Sequence, residues 1–388
     1  MLSSQTRFTY RLTWLRGYGP CGPGCTNTSI GKLTTGRAPF DSTFWQTTGV
    51  GHMADLNYVT TTLSSGWEQG ERAFNVSSKL YSKFSLRLNN ANVVWVLTAN
   101  ASGGSIVSME TFVDTRTRND TNEQNASPIA ALPPYIGVPH GCLVTMSVPV
   151  TEPDHDVLGC RWAKQSECGS ACTNLPQAYI DKSACTITLN TTTNRGYFPG
   201  QTYRVTMVIE DFPRFPIRMG RQLMLPTNPL SKVPLQLTIT ITKATSCVSN
   251  VQFAAPTLPD ELHASYSMFP QPFLFAAYLT VPTLGGTNFL SSLPAGIVSQ
   301  RLADDQKRQN VTRLYLTWLP ERRQMGDNLA CIWGMDQFGW VARGQRFKGS
   351  ILDDNVTAIQ TSVALRLARV EEHASTCSID SFVTVLLD

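Results

Sequence analysis

The sequence predicts an all-β protein made of three tandem β-sandwich domains, and three observations carry this prediction. Apolar and polar residues alternate over many short stretches, which is the period-2 pattern of half-buried strands. No stretch shows the sustained, capped period of 3.6 residues that indicates helices. In addition, one strand pattern occurs twice, 126 residues apart. That spacing is typical of a whole sandwich domain rather than of a short solenoid repeat.

The repeated pattern lies at 200–212 and 326–338, and each copy begins with glycine and ends in an acidic residue, one further residue and phenylalanine. Four apolar residues alternate inside each copy: Tyr203, Val205, Met207 and Ile209 in the first, and Leu329, Cys331, Trp333 and Met335 in the second. The alternation predicts one buried face per copy, so the copies are expected to be the same strand of two equivalent domains. A second match, 234–247 with 364–377, ends each of these domains on a cysteine.

The repeat sets the domain boundaries. We expect an N-terminal β-sandwich domain with a polar linker at 1–128, an Ig-/cadherin-like cysteine-rich domain at 129–248, a second Ig-like domain at 249–377 and a C-terminal β-strand tail at 378–388. The linker is the polar run 114–127. Strands are predicted at 6–15, 54–63, 79–88, 92–98, 105–113, 144–150, 157–162, 186–189, 203–209, 235–242, 273–281 and 314–318, and a short helix or loop at 299–310.

Composition and motifs argue against several classes of function. The formal net charge of +4 is too small to indicate nucleic acid or an anionic membrane as the main partner. No apolar run is long enough to span a bilayer, and Met1 leads at once into strand-like sequence, so a secreted protein would lack its signal peptide here. The G-x-S-x-G, H-E-x-x-H and phosphate-loop patterns do not occur. We therefore predict no catalytic residue, no cofactor and no enzymatic activity.

Cysteines and glycosylation motifs indicate a secreted protein with N-linked glycans. N-x-[ST] motifs, the acceptors for N-glycosylation, occur at Asn27, Asn75, Asn100, Asn119, Asn125, Asn190, Asn310 and Asn355. The ten cysteines are Cys21, Cys25, Cys142, Cys160, Cys168, Cys172, Cys185, Cys247, Cys331 and Cys377. Five histidines and no C-x-x-C pair make a zinc site the less favoured explanation, so we expect disulfides.

The pairing of the cysteines stays open at the level of sequence. Cys21 with Cys25, and Cys168 with Cys172, would each close a small loop. The equivalence of Cys247 and Cys377 suggests that each ties the end of its domain back to that domain.

Two further motifs each have a functional and an ordinary explanation. The turn Glu152-Pro-Asp-His-Asp156 places alternating oxygen ligands, Glu152, Asp154 and Asp156, where Ca²⁺ could bind, although an ordinary acidic turn is favoured. A basic loop follows the repeated strand in both copies, with Arg214, Arg218, Arg221 and Lys232 in one and Arg343, Arg346 and Lys348 in the other. These loops are either solvated surface or a contact for sulfated glycans or an acidic neighbour.

Several of these segments also carry a family resemblance. Val138-Pro-His-Gly-Cys142, the 152–156 turn, Cys160-Arg-Trp-Ala163, Glu167 to Cys172, Ile209-Glu-Asp-Phe212 and the stretch 233–237 resemble a block in large modular extracellular proteins of invertebrates and fish. Segments 54–57, 66–69 and 310–338 are similar to the domains that flank that block. The resemblance implies tandem Ig- or cadherin-like sandwiches and no catalytic residues. The family's turn has Asp first and Gly fourth, where this chain has Glu152 and His155.

The function predicted from these features is that of a secreted structural glycoprotein whose main partner is a second copy of itself. The tail contains an apolar strand, Phe382, Val383, Val385, Leu386 and Leu387, with no following domain to receive it. Such a strand could add to the edge of another subunit, and head-to-tail addition gives a filament or matrix. An adhesion or receptor ectodomain that binds an extracellular glycoprotein or glycan is the alternative, and a β-sandwich glycosidase is a third.

Overall fold

The computed structural model describes the central part of the chain almost continuously and the two flanking parts in segments. The described residues are 5–15, 45–47, 59–64, 67–77, 83–95, 105–133, 135–169, 172–173, 175–243, 246–247, 251–255, 257, 262–267, 273–280, 288–302, 311–319, 324, 326–336 and 345–352. The predicted tail strand, Phe382 to Leu387, lies outside these residues, as do Cys21, Cys25 and Cys377.

The N-terminal part contributes strands to two different sheets. Its strands are β1 (Gln5–Leu15), β2 (Trp45–Thr47), β3 (Val59–Ser64), β4 (Trp67–Ser77), β5 (Lys83–Trp95) and β6 (Ser105–Asp114). Strands β1, β4 and β3 form a three-stranded antiparallel sheet of their own. The β5–β6 hairpin instead joins the main sheet of the central part, so a sheet crosses the predicted boundary near 128.

The central part is a sandwich of two sheets around one core. Its strands are β7 (Ile129–Ala130), β8 (Tyr135–Pro139), β9 (Leu143–Ser147), β10 (Val150–Thr151), β11 (Val157–Trp162), β12 (Tyr179–Asp181), β13 (Thr186–Asn190), β14 (Thr202–Phe212), β15 (Ile217–Met219), β16 (Gln222–Met224) and β17 (Ser231–Thr242). One sheet runs β11-β14-β17-β6-β5-β2, with β8 paired to β17, and the other runs β12-β13-β9. The short helix α1 (Gln165–Cys168) and a 3-10 turn at Thr193–Arg195 interrupt the strands.

The core of this sandwich comes from the apolar alternation of its strands. Val205, Met207 and Ile209 of β14 and Ile239 and Ile241 of β17 are all fully buried in it. Because successive strand residues point to opposite faces, each strand delivers every second side chain to this core.

The C-terminal part is a second sandwich, formed by two four-stranded sheets. Its strands are β18 (Gln252–Ala254), β19 (Leu262–Ser267), β20 (Phe273–Thr280), β21 (Asn288–Ser292), β22 (Ile297–Leu302), β23 (Val311–Trp318), β24 (Gly326–Met335) and β25 (Gln345–Leu352). The sheets run β18-β20-β23-β22 and β19-β25-β24-β21. Leu279, Leu316 and Ile332 lie at the centre of the core between them, each fully buried.

The predicted all-β fold class is confirmed, because the described residues form several β-sheets with almost no helix and include disulfides. Three details differ from the sequence-based expectations. The two strands predicted at 79–88 and 92–98 are one strand, β5. Residues 299–302, expected in a helix or loop, belong to β22. Arg346 and Lys348, expected in a basic loop, lie in β25, while Arg343 lies outside the described residues.

The two copies of the repeated strand bury different faces, which corrects the predicted equivalence. Tyr203, Val205, Met207 and Ile209 face the core of their own sandwich. In β24 that core instead receives Ala330 and Ile332, whereas Leu329, Cys331, Trp333 and Met335 pack against Leu290, Ile129, Ala131 and Tyr135. Both faces of β24 are apolar, so period-2 alternation alone could not decide which of them meets the sandwich core.

Two sets of contacts join the parts of the chain. Arg11 of β1 forms an ion pair with Glu71 of β4 (3.0 Å) and donates a hydrogen bond to Ser292 of the C-terminal part (3.0 Å). Tyr135 donates its hydroxyl to the Met335 sulfur at 3.1 Å. No described helix is long and apolar enough to cross a membrane.

Candidate functional site: a buried acidic junction

The segment predicted as a polar linker packs closely onto the central sandwich. Thr115 is 6% exposed and Arg118 only 2%, although both lie in a run of polar residues. Arg118 meets the carboxylates of Asp120, Asp154 and Asp156, and Glu152 lies at the start of the same turn. We call these five residues the acidic junction. It joins 115–126 to the loop between β10 and β11.

Arg118 uses its whole guanidinium group in the acidic junction. Its Nε and Nη2 donate to the two oxygens of Asp120 at 3.1 and 2.8 Å. Its Nη2 and Nη1 donate to the two oxygens of Asp156, the first at 3.0 Å. Nη1 also reaches Asp154 Oδ2 at 3.3 Å and Asn125 Oδ1 at 2.8 Å. Burial alone would lower the pKa of Arg118, but its bonds to Asp120 and Asp156 outweigh that effect and raise the pKa.

Asn125 extends the junction to the repeated strand. Its Nδ2 donates to Asp211 Oδ2 of β14 at 2.6 Å. The other oxygen of Asp211 accepts hydrogen bonds from the Ser231 backbone N–H and hydroxyl, both at 2.7 Å. Asp211 is fully buried, and burial raises its pKa. Because the Asn125 amide nitrogen, which would carry the glycan, is hydrogen-bonded to the buried Asp211, a glycan at this motif is disfavoured in the folded protein.

The 152–156 turn contains one residue with a left-handed backbone. His155 has a positive φ of 61°, in the region that glycine adopts most readily. The turn folds over Glu152, whose Oε2 accepts the Asp156 N–H at 2.6 Å, while Asp154 Oδ2 accepts the Ala126 N–H at 2.7 Å. The turn therefore directs its acidic side chains inward.

The acidic junction holds more negative than positive charge. When all four carboxylates are ionised, the guanidinium of Arg118 is the only cationic group of the described residues that pairs with them. Glu152 is 8% exposed, and its Oε1 has no hydrogen-bond partner among the described residues. Burial raises the pKa of Glu152 to about 7 and also raises the pKa of Asp154. Buried carboxylates without full compensation lower stability when they are ionised.

We expect Glu152 to make stability depend on pH. Because its folded-state pKa lies above its unfolded value, the folded protein binds the proton more tightly than the unfolded chain does. The free energy of unfolding should therefore fall as the pH rises from the ordinary glutamate pKa of 4.5 to about 7, by at most about 3 kcal/mol. Glu152→Gln should reduce this slope, to which Asp154 also contributes because burial raises its pKa. Urea denaturation in metal-free buffer measures the slope.

The matched control for this measurement is Glu123→Gln, which neutralises an exposed carboxylate near the junction. It should leave the slope unchanged. If the free energy of unfolding of Glu152→Gln falls with pH as steeply as that of the wild type, the assignment to Glu152 is wrong.

A second ion cluster lies where the repeated strand meets helix α1. Arg161 of β11 forms a two-point pair with Glu167 (2.7 and 2.8 Å) and donates to Glu210 of β14 at 2.8 Å. The bonds from Arg161 lower the pKa of Glu167 to about 2. Glu167 also accepts the Lys164 backbone N–H at 2.8 Å, which caps α1. Sequence reasoning found the acidic end of the repeated strand but not this partner.

Three disulfides lie in the central sandwich. Cys168 pairs with Cys172, Cys160 pairs with Cys185 inside the core, and Cys142 after β8 pairs with Cys247 after β17. The last of these ties the end of the sandwich to its beginning. Cys331 is fully buried in β24, and the disulfide expected for it stays a prediction.

The remaining predicted sites are the other N-glycosylation motifs, and the structure describes only some of them. Asn190 and Asn119 are exposed, and Asn119 Oδ1 accepts the Arg218 backbone N–H at 2.6 Å. The backbone of Asn75 lies in β4, while Asn27, Asn100, Asn310 and Asn355 are outside the described residues. Glycan attachment at these motifs therefore stays a prediction.

The first basic loop contains a hairpin with its own small core. The two strands, β15 and β16, bury Ile217, Met219 and Met224. The opposite surface exposes basic and apolar side chains: Arg214, Phe215, Arg218, Arg221, Leu223 and Leu225. The hairpin thus presents a basic and apolar patch on a fixed backbone.

Comparison with known proteins finds no matching family model and no matching curated protein. Among solved structures, the chain is similar to an endo-fucoidan hydrolase of glycoside hydrolase family 107 (9% identity, TM-score 0.20), over 90% of this chain and 42% of that chain. It thus spans less than half of that protein's length.

Two further solved structures consist of fibronectin(III)-like modules and of Ig domains. Fibronectin(III)-like modules of Clostridium thermocellum CbhA match at 8% identity and TM-score 0.20, over 61% of this chain and 99% of that chain. The N-terminal eight Ig domains of Down Syndrome Cell Adhesion Molecule match at 10% identity and TM-score 0.19, over 90% and 39%. Likeness at this level supports no conclusion about the activity of this chain, and its expected lack of enzymatic activity stays a prediction.

Proposed function

We propose that this chain is a secreted structural glycoprotein that assembles head-to-tail into an extracellular filament or matrix. Disulfides persist in oxidising compartments, and the three of the central sandwich support an extracellular location. The observation that carries a structural role is the way in which the central sandwich ties its two ends together.

The first tie is covalent. The Cys142–Cys247 disulfide spans 105 residues, so tension that enters before Cys142 and leaves after Cys247 passes through the sulfur bridge. The intervening residues, which include nearly all of the sandwich core, do not carry that tension. A unit that can be pulled without unfolding suits a load-bearing filament.

The second tie is a strand pairing. Strand β8, near the entry of the sandwich, pairs in parallel with the end of β17, from Tyr135 with Thr238 to Pro139 with Thr242. Pulling the start of one strand away from the end of the other shears the ladder, so its hydrogen bonds resist together rather than one after another.

The assembly contact would be strand addition between copies. Strand β9 is an edge strand that pairs with β13 on one side, and no described strand pairs with its other side. It contains no proline and no charged residue, and Leu143 is 72% exposed, so it lacks the features that protect edges. We propose that the 382–387 strand of a second copy adds there.

Deletion of 378–388 tests this function. Negative-stain electron microscopy and sedimentation should show filaments for the full chain and folded monomers for the truncated chain. Thr145→Lys should have the same effect, because it places a charge on an exposed position of β9. The control, Thr384→Ser, keeps the apolar side of the tail and should still assemble.

Filaments that persist without the tail would overturn the proposed assembly. If the full chain is monomeric, the adhesion alternative is favoured instead. The basic and apolar patch on the β15–β16 hairpin supports that alternative, since arginine and aromatic side chains are enriched where proteins bind partners.

A further inference from the structure

The acidic junction has the ligand arrangement of a divalent cation site. One carboxylate oxygen from each of Glu152, Asp154 and Asp156 lies within 4.8 Å of the others. Ca²⁺ binds oxygen at about 2.3–2.6 Å, so ligands on opposite sides of the ion stand about 5 Å apart. The three oxygens are therefore close enough to share one ion.

A second observation points to a missing ligand rather than to an ordinary turn. Glu152 is only 8% exposed, and its Oε1 has no hydrogen-bond partner among the described residues. A buried anionic oxygen with no donor is costly, and native proteins rarely retain one without a reason. A bound cation would satisfy this oxygen directly.

The charge balance of the junction favours a cation as well. Arg118 already supplies one positive charge to Asp154 and Asp156, with Nη2 to Asp156 Oδ1 at 3.0 Å, yet Glu152 receives no bond from it in the described structure. With Asp120 included, four carboxylates face one guanidinium, so three negative charges are left without a counter-charge among the described residues. One divalent ion would neutralise two of them.

We propose that the acidic junction binds Ca²⁺ through Glu152, Asp154 and Asp156. The donor set consists of oxygen atoms alone, which suits Ca²⁺ rather than zinc, whose usual ligands are cysteine and histidine. Mg²⁺ fits less well because it needs near-ideal octahedral geometry and usually keeps several waters. The site is independent of the proposed filament and of the tail.

Calcium at this position would fix how the N-terminal part meets the central sandwich. Asp154 already holds 115–126 through the Ala126 N–H (2.7 Å), and Asp156 holds it through Arg118. Neutralising the turn would relieve repulsion among the carboxylates and leave these bonds in place. The ion would therefore stabilise the contact between the two parts of the chain.

Titration of the full chain with CaCl₂, followed by calorimetry and by thermal unfolding, tests this site. We expect binding with a dissociation constant of about 10⁻⁴–10⁻³ M, the range of extracellular modules, and a rise in Tm with Ca²⁺ concentration. Glu152→Gln and Asp154→Asn should each weaken binding at least tenfold, an order-of-magnitude estimate for losing one anionic ligand. MgCl₂ should bind more weakly than CaCl₂.

The variants are chosen so that a loss of Ca²⁺ binding is not confused with a failure to fold. Glu152→Gln removes a charge that burial already disfavours, so this variant should fold and give a clear binding result. Glu123→Gln, an exposed carboxylate outside the junction, should bind Ca²⁺ as the wild type does. The proposal is overturned if CaCl₂ at about 10 mM gives neither heat nor a Tm shift, or if Glu152→Gln binds unchanged.

Discussion

Replacing Cys142 and Cys247 together by serine is expected to lower the free energy of unfolding by about 5 kcal/mol. The disulfide closes a loop of 105 residues, the longest of the three, and the chain-entropy cost of an open loop in the unfolded state grows with its length. Urea denaturation of the oxidised wild type and the double variant measures the difference.

The other two disulfides provide an internal scale for this prediction. Cys160–Cys185 spans 25 residues and Cys168–Cys172 spans 4, so their removal should cost about 3.5 and 2 kcal/mol by the same relation. A different order of the three losses would mean that packing around the sulfurs, not loop length, determines their effect.

Mechanical unfolding provides a second measurement of the same bridge. When a single molecule is pulled from both ends, the oxidised chain keeps 105 residues behind the Cys142–Cys247 bond. The double variant should release roughly 260–290 Å more contour length, because the intact Cys160–Cys185 bond still holds 25 of these residues and about 80 extend at 3.3–3.6 Å each. Equal extension of the oxidised wild type and the variant would contradict the load path proposed for the central sandwich.

Replacing Arg118 by methionine is the second change with a large expected effect. The variant removes the guanidinium but keeps an unbranched apolar side chain, and it leaves Asp154 and Asp156 without their shared counter-ion. Breaking a buried ion pair from one side costs about 3–5 kcal/mol, because the remaining charge stays buried. The loss should be largest near neutral pH and smaller in mild acid, where Asp154, whose pKa is raised by burial, takes up a proton. Urea denaturation at both pH values measures it.

Arg214→Met is the matched control for this variant. Arg214 is exposed and donates one hydrogen bond, from Nε to the His155 carbonyl at 2.6 Å. Its loss should cost no more than about 1 kcal/mol. Equal losses for the two arginines would show that the acidic junction contributes no more than a surface contact.

The strands of the central sandwich could be predicted because burial follows a local pattern there. Val205, Met207 and Ile209 recur at every second position, and the same residues are fully buried in the structure. Strand β24 shows the limit of this reasoning. Both of its faces are apolar, so the side that packs on Ile129 and Ala131 became evident only from the contacts between the two parts of the chain.

The candidate site was predicted in part. Glu152, Asp154 and Asp156 share one turn, and their spacing alone made them candidate oxygen ligands. Arg118 lies 38 residues from Asp156 in a polar run that has the composition of a linker. One local signal could have been noted: 114–126 carries arginines at alternate positions among acidic and amide residues, which is unusual for a solvated spacer.

The sequence by itself determined the β architecture, the approximate strands, the acidic turn and the cysteine-rich character of the central part. These properties depend on residue type and on period-2 spacing, which are local. The tertiary structure decided which cysteines pair, which face of the second repeated strand meets its core, and that the presumed linker is buried around Arg118. Those outcomes depend on contacts between residues far apart in the chain, where packing and charge compensation outweigh local pattern.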